Sequence, residues 1–187
     1  MSDAPAVTTA FVDRDGVINR KPPGGAYVTR PEDFDLLDGS IAAIARLSRS
    51  GIRVVVVTNQ QGVAKGLVAA DTLDEIHADL RRAVVQAGGE LTEILVCPHR
   101  AGTCDCRKPG TGMFEEARRR HPAIEFRRSV VVGDADSDMA AAAAIGARAI
   151  LVTDRPPAES PPGAPVPVAS LAAAADLILQ ETHARSD

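Results

Sequence analysis

The chain has 187 residues, which is enough for one domain with a substantial hydrophobic core. Its formal net charge is −4 and charges of both signs are interspersed, which argues against nucleic acid or an anionic membrane as a partner. The first residues are not a basic region followed by an apolar run, and no apolar run is long enough to span a membrane, so neither a secretory signal nor a membrane anchor is predicted. We therefore expect a single domain over residues 1–187 in a monomeric cytoplasmic protein.

Predicted strands and helices alternate along the chain. Continuous apolar runs predict buried strands, and apolar residues at helical spacing predict helices between them. This alternation is typical of a doubly wound α/β domain with a mostly parallel sheet. The strands are expected at about 8–13, 53–57, 91–96, 129–132 and 148–152, with a short edge strand at Val168, and the helices at about 41–50, 71–87 with Asp71 as cap, 112–120, 136–145 and 170–181.

The core of the domain is expected at about residues 8–153. Six prolines crowd the segment 155–167, which predicts an extended surface excursion rather than a second domain. The last helix, at about 170–181, follows this excursion and completes the same domain.

Two aspartates, Asp13 and Asp15, directly follow the first predicted strand. A tight Asp-Gly turn would explain them if they stood alone, but Thr58 and Asp134 also end predicted strands with oxygen ligands. In an open α/β sheet, ligands gather outside the carboxyl ends of the strands. Carboxylates that converge there repel one another unless a cation is present, and oxygen ligands together with a substrate phosphate are typical of Mg²⁺.

Lys108 opens the segment that leads to the third helix, from where its side chain can reach the same edge of the sheet. An ammonium group beside bound Mg²⁺ is what a transferring phosphoryl group requires, because its charge spreads over three equatorial oxygens. The hydroxyl of Thr58 and the backbone amides after it can donate to phosphate. Taken together with the aspartates, these groups predict a phosphoryl-transfer site.

A second cluster lies in the loop after the third strand, where Cys97-x-His99 is followed by Cys104-x-Cys106. An odd, clustered set of three cysteines fits a metal site in a reducing compartment better than a disulfide framework. Three thiols and an imidazole match tetrahedral Zn²⁺, although free thiols on a loop are the simpler alternative. With all four positions taken by protein, the zinc would be structural and would fix the loop that presents Arg107 and Lys108.

Four segments, 13–19, 58–62, 97–109 and 133–138, together resemble the haloacid dehalogenase (HAD) superfamily of phosphatases. More narrowly, they are similar to its branch of heptose-bisphosphate and histidinol phosphatases. The similarity covers about residues 8–153, and the zinc loop joined to Arg107-Lys108-Pro109 is its most specific part. It implies a Rossmann-like, HAD-like fold with a zinc-binding loop and no large cap domain, for which the short connections leave no room.

The resemblance also implies roles for the residues at the sheet edge. Asp13 corresponds to the nucleophile that forms an aspartyl-phosphate, and Asp15 to the group that protonates the leaving alkoxide and then accepts a proton from water. Mg²⁺ would be held by Asp13, the carbonyl of Asp15 and Asp134, with Asp138 close behind them.

Substrate contacts follow from the same resemblance. Thr58 and Lys108 would steady the phosphoryl group. One position departs from the pattern, because many relatives carry Lys, Arg or Ser where this chain has Ala135, so that a phosphate contact is missing. The remaining substrate-binding positions are Asn59, Gln60, Gln61 and Arg107.

The predicted function is thus a Mg²⁺-dependent phosphomonoesterase acting on a small phosphorylated sugar, with heptose 1,7-bisphosphate first and histidinol phosphate as the alternative. Basic residues near the motifs favour a second phosphate on the substrate. A polynucleotide 3′-phosphatase is disfavoured by the acidic balance and by the scarcity of aromatic residues for base stacking. A degenerate regulatory module would have lost Asp13 or Asp15, and both are present.

Overall fold

The computed structural model describes residues 6–155 and 163–183, so 156–162, most of the proline-rich segment, lies outside it. The strands are β1 Thr9–Val12, β2 Arg53–Asn59, β3 Glu93–Cys97, β4 Ser129–Gly133, β5 Arg148–Val152 and β6 Val166–Val168. The helices are α1 Ser40–Arg49, α2 Ala70–Gln86, α3 Gly112–Arg120, α4 Asp136–Ile145 and α5 Leu171–His183, and short 3₁₀ helices span Pro23–Gly25, Pro31–Asp33 and Phe126–Arg128. None of the helices within these ranges has the length and apolar character needed to cross a membrane.

The six strands form one sheet in the order β3-β2-β1-β4-β5-β6, and all five neighbouring pairs are parallel. This is the strand order of a Rossmann-like sheet, which confirms the predicted fold class. The order reverses between β1 and β4, and a ligand crevice opens at such a point. Val12 pairs with both Val56 and Val132, so the carboxyl ends of β1, β2 and β4 lie side by side.

The two faces of the sheet are covered by different helices, because side chains alternate along each strand. Ala10 and Val12 of β1 pack with residues of α1, α2 and α5 on one face. Phe11 points to the other face, where it packs with α3 and α4 residues, and its ring centroid lies 5.0 Å from that of Phe114. The valines of β2 and β4 alternate in the same way, which explains why these strands are continuously apolar.

Some predicted boundaries differ from the structure. Helix α2 is capped at Ala69 and begins at Ala70, so Asp71 is not the cap but lies in the first turn, where its charge interacts favourably with the helix dipole. Strand β6 includes Pro167, which is tolerated because this strand is at the edge of the sheet. In the described ranges, the connections 13–39 and 98–111 contain turns and two 3₁₀ helices, and neither builds a cap domain.

Candidate active site

A cleft of about 240 Å³ lies at the carboxyl edge of the sheet, above the ends of β1, β2 and β4. Eight residues predicted from the sequence line it, which brings segments from 13 to 134 into one place. Gln60 and Asp138 are buried behind its wall. The eight residues at the cleft are Asp13, Asp15, Thr58, Asn59, Gln61, Arg107, Lys108 and Asp134.

Three carboxylates converge in the cleft. One oxygen each of Asp13, Asp134 and Asp138 lies within 4.8 Å of the others, a grouping that could hold a metal ion. Two glycines permit this approach: a Cβ on Gly133 would lie 2.3 Å from the Cβ of Asp138, and one on Gly16 would lie 2.2 Å from Asp134 Oδ2. Gly16 also has a φ of +93°, which other residues rarely adopt.

The Lys108 ammonium lies between two of these carboxylates. Its Nζ is 2.9 Å from Asp13 Oδ1 and 2.5 Å from Asp138 Oδ1, and it donates to the carbonyl of Val57 at 2.7 Å. Burial alone would lower the pKa of Lys108, but the two aspartates raise it. Burial raises the pKa of Asp13 to about 6, with Lys108 opposing and Asp138 adding to the shift. A cation beside Asp13 would favour its ionised form.

The side chain of Asn59 holds Lys108 in this position by bonding to the backbone of Lys108. The side-chain amide of Asn59 donates to the Lys108 carbonyl at 3.1 Å and its oxygen accepts from the Lys108 amide at 3.0 Å. Asn59 was expected to contact substrate; it lines the cleft, and its side chain makes this double hydrogen bond. It therefore anchors the loop that carries Lys108 to the end of β2.

The Asp15 carboxylate is held by three side chains. Arg14 Nη2 donates to Oδ1 at 2.9 Å and to Oδ2 at 3.1 Å, and Asn19 Nδ2 donates to Oδ1 at 3.0 Å. Gln60 Nε2 donates to Oδ2 at 2.6 Å and to the Thr58 hydroxyl oxygen at 2.8 Å. Gln60 was also expected to contact substrate, but it is buried and its side-chain amide donates to Asp15 and Thr58. Burial opposes the ionised form of Asp15, but these donors, Arg14 first, lower its pKa.

Two residues behind Asp15 were missed by sequence reasoning. Arg14 is fully buried, its guanidinium lies 5.4 Å from the Phe34 ring centroid, and its Nη1 is 3.2 Å from His77 Nε2. In the sequence, His77 is simply one histidine on a predicted helix, with nothing to mark it out. Burial, followed by the charge of Arg14, lowers the pKa of His77 to about 4. The available signal was an arginine enclosed between two aspartates in an otherwise apolar motif.

Two basic side chains reach the mouth of the cleft. Lys21 Nζ lies 2.8 Å from Asp134 Oδ2, while the other oxygen of Asp134 is buried without a hydrogen-bond partner in the described ranges. Arg107 lines the cleft, and its buried Nη1 also lacks a partner among the described residues. Ala135 presents only a methyl group and its backbone here, and its amide donates to Asp138 Oδ2 at 3.2 Å.

The predicted zinc ligands converge in the loop after β3. The Sγ atoms of Cys97, Cys104 and Cys106 are 3.2–3.5 Å apart, and His99 Nδ1 lies 3.2 Å from Cys106 Sγ and 3.7 Å from Cys97 Sγ. Two sulfurs bound to one tetrahedral Zn²⁺ at about 2.3 Å lie about 3.8 Å apart. The donor set and its near-tetrahedral spacing therefore fit a four-coordinate metal ion.

The thiols of this cluster oppose one another's ionisation. Burial and the neighbouring thiols raise the pKa of Cys106 to about 12, and burial raises that of Cys97. Cys104 differs: burial opposes its ionisation, but the hydrogen bond from Cys106 lowers its pKa to about 7. Thiolates in such a group need a cation to coexist, and metal binding would release their protons.

Comparison with known proteins identifies the family. A family model described as HAD-hydrolase-like matches residues 105–175. The D-glycero-beta-D-manno-heptose-1,7-bisphosphate 7-phosphatase of Pseudomonas putida is 44% identical over 143 residues, which cover 76% of this chain and 80% of that protein. The D-glycero-alpha-D-manno-heptose-1,7-bisphosphate 7-phosphatase of Mycobacterium bovis is 42% identical over 140 residues, which cover 74% of this chain and 73% of that protein.

A solved structure is also similar over nearly the whole length. It is the D,D-heptose 1,7-bisphosphate phosphatase from B. bronchiseptica complexed with magnesium and phosphate. It superposes with a TM-score of 0.83 at 36% identity, covering 94% of this chain and 99% of the other. Because relatives above 40% identity span about three quarters of the sequence, this chain belongs to the HAD phosphatases, in the family of the heptose-1,7-bisphosphate 7-phosphatases.

Proposed function

We propose that this phosphatase removes the 7-phosphate of D-glycero-D-manno-heptose 1,7-bisphosphate through an aspartyl-phosphate formed on Asp13. The observation that carries the proposal is that Asp13 lines the cleft in contact with the Lys108 ammonium and within 4.8 Å of carboxylate oxygens of Asp134 and Asp138. The names of relatives that share 44% and 42% of their aligned residues with this chain support the substrate.

Mg²⁺ fits the carboxylate side of the cleft. Asp13 and Asp134 would hold it together with the backbone carbonyl of Asp15, and Asp138 would support them through Lys108. The unpartnered buried oxygen of Asp134 is the observation that favours a ligand here. Bound Mg²⁺ would neutralise charge on the transferring phosphoryl group.

In the first step, an Asp13 oxygen attacks phosphorus and the bond to the sugar oxygen breaks. Lys108 and the Thr58 hydroxyl stabilise the phosphoryl oxygens. Asp15 gives its proton to the departing alkoxide, which leaves as an alcohol. The lowered pKa of Asp15 in the free protein does not prevent this, because a phosphate dianion bound beside it raises that pKa again.

In the second step, water attacks the phosphorus of the aspartyl-phosphate and Asp15 accepts its proton. The bond between Asp13 and phosphorus breaks, which releases inorganic phosphate and restores the carboxylate. Asp15 is well placed for both transfers, since it lines the cleft and its side chain keeps 22% of its surface exposed.

The second phosphate of the substrate would bind Arg107. This guanidinium lines the cleft and has a buried N–H group without a partner among the described residues, which is costly unless a ligand accepts from it. Lys21 and Lys65 add positive charge at the mouth, and Lys65 donates to the Tyr27 hydroxyl at 3.0 Å. Histidinol phosphate carries an ammonium and an imidazole instead of a second phosphate, so it gains nothing from these groups.

Zn²⁺ in the loop 97–106 would be structural. All four coordination positions would be taken by the three cysteines and the histidine, leaving none for substrate or water. Cys106 is followed directly by Arg107 and Lys108, so a fixed loop places both cations at the cleft.

The test is release of phosphate from the two anomers of heptose 1,7-bisphosphate and from histidinol phosphate, side by side at saturating Mg²⁺. We expect a higher kcat/KM for one heptose anomer than for histidinol phosphate, with the phosphate lost from carbon 7. The relatives include both alpha and beta enzymes, so the assay also decides the anomer. More efficient cleavage of histidinol phosphate would replace the proposed substrate with the alternative.

A further inference from the structure

Arg14 is a fully buried guanidinium that does not belong to the cleft. It is absent from the residues that line the cleft, so it cannot contact a bound phosphate. A buried charge is expensive unless it is paired and fully hydrogen-bonded, so its retention in the core requires a partner. That partner is Asp15, to which Arg14 donates through both Nε and Nη2.

This contact restricts how the Asp15 carboxylate can rotate. Arg14 reaches both carboxylate oxygens, and a two-point contact fixes the plane of the group as well as its position. Asn19 and Gln60 add one further donor to each oxygen. The carboxylate is therefore held in a single orientation from behind, while its exposed part faces the cleft.

Arg14 is itself fixed by residues far away in the sequence. Arginine has only donors, so His77 Nε2, at 3.2 Å from Arg14 Nη1, must accept and the His77 proton must sit on Nδ1. His77 belongs to α2, and Phe34, whose ring lies beside the guanidinium, belongs to the loop before α1. Two elements outside the catalytic motif thus determine where Arg14 points.

We propose that Arg14 is a positioning residue that aims the Asp15 carboxyl at the leaving-group oxygen, and that His77 positions Arg14. The inference rests on the proposed role of Asp15 in proton transfer. An arginine that only filled the core would leave proton transfer untouched in any variant that folds. If Arg14 positions Asp15, its replacement weakens proton transfer, and the rate then depends more strongly on how readily the leaving group departs without a proton.

The experiment compares Arg14→Met and Arg14→Lys with wild type on a series of aryl phosphates whose phenols differ in acidity, at saturating Mg²⁺. The parameter kcat/KM reports steps up to formation of the aspartyl-phosphate, and an acidic phenol such as 4-nitrophenol departs as a stable anion. We expect Arg14→Met to lose about 100-fold or more on the least acidic phenol and less than about threefold on 4-nitrophenyl phosphate, because positioned proton transfer contributes on that scale. Arg14→Lys keeps the charge without the planar fork of donors, so its losses should lie between those of wild type and Arg14→Met.

His77 gives a second pair of variants in case Arg14→Met does not fold. His77→Leu removes the acceptor and should steepen the dependence on leaving-group acidity in the same direction. His77→Gln keeps an acceptor oxygen and should restore most of the wild-type behaviour. Equal losses across the series, or no loss, in Arg14→Met and His77→Leu would overturn the inference.

Asp15→Asn separates this inference from the proposed function. If Asp15→Asn steepens the dependence and the Arg14 and His77 variants do not, proton transfer by Asp15 stands and the positioning role is wrong. If Asp15→Asn itself leaves the dependence unchanged, both fall. The aryl phosphates make this comparison independent of whether the natural substrate is a heptose bisphosphate.

Discussion

Lys21 and Asp134, 113 residues apart in the sequence, form an ion pair with 2.8 Å between Nζ and Oδ2. Asp134 is one of the three carboxylates that could hold a metal ion, so the ammonium lies at the edge of that cluster. Together with Lys108, it offsets the repulsion among these close carboxylates. Lys21 is therefore expected to compete with a divalent cation for Asp134.

Lys21→Met should raise the affinity of the substrate-free protein for Mg²⁺. The Lys21 side chain is 57% exposed, and such pairs contribute up to about 1 kcal/mol, which corresponds to an increase of up to about fivefold. Calorimetric titration of metal into the metal-depleted protein measures the change. Lys65→Met, at the same mouth but bound to Tyr27, is the matched control and should leave the affinity unchanged. Weaker binding by Lys21→Met would contradict the prediction.

Asp13→Asn should abolish turnover while leaving the fold intact. An amide cannot form the acyl phosphate, so we expect a loss in kcat of several orders of magnitude. Asp136→Asn, an exposed carboxylate in the first turn of α4, is the control and should retain activity. Phosphate release near the wild-type rate by a folded Asp13→Asn protein would rule out the nucleophile.

Acid should destabilise the protein partly through His77. Its pKa is about 4 in the folded state and 6.5 in the reference state, so the unfolded chain binds more protons between these values. This contribution is fully present above pH 6.5 and is lost as the pH falls through 4. The full shift corresponds to about 3 kcal/mol.

Urea unfolding of wild type and His77→Gln at pH 7 and pH 4 tests this prediction. The drop in unfolding free energy between the two pH values should be smaller in His77→Gln, because its amide does not titrate. Identical drops in wild type and His77→Gln would contradict the assignment.

Metal analysis of the purified protein should find about one tightly bound Zn²⁺ per chain, as expected for closed tetrahedral ligation. Cys104→Ser should lose it and raise KM, because the loop presents Arg107 and Lys108. Most of the sheet should remain folded, which far-UV circular dichroism can verify. An ordered, metal-free loop at neutral pH would refute the zinc assignment.

Arg107→Ala should narrow the preference for heptose 1,7-bisphosphate over histidinol phosphate by about 1–3 kcal/mol, the range of a charge-assisted hydrogen bond. The ratio of kcat/KM for the two substrates measures it. Arg100→Ala, in the same loop but absent from the cleft lining, should leave the ratio unchanged. An unchanged ratio in Arg107→Ala would show that the second phosphate binds elsewhere.

Sequence reasoning worked best where one residue type serves one purpose. The valine runs predicted β2 and β4 because strands buried on both faces need apolar residues throughout. The carboxylates were found because nothing but a ligand explains acidic groups at the ends of several buried strands. The cysteine cluster was recognised because its four metal-ligand residues lie within ten residues of one loop, so their convergence does not depend on the rest of the fold.

Residues whose role depends on distant partners were harder to predict. His77 is one of several polar side chains on α2, and only the packing of that helix over Arg14 distinguishes it. Asn59 and Gln60 were correctly placed at the end of β2, but the direction of each amide depends on the loop 98–111 and on Asp15. Sequence gives such residues a location, whereas their partners follow from the fold.

The double hydrogen bond between Asn59 and the Lys108 backbone makes the position of the catalytic lysine less dependent on the sequence of the loop before it. It ties Lys108 directly to β2, so loop positions other than the four candidate zinc ligands can change in composition with little movement of the lysine at the nucleophile. Enzymes built on this plan can therefore diverge in the molecules they accept while retaining the same chemistry. An engineer who wants a new substrate should vary the loop residues between the zinc ligands and leave those ligands and the amide of Asn59 in place.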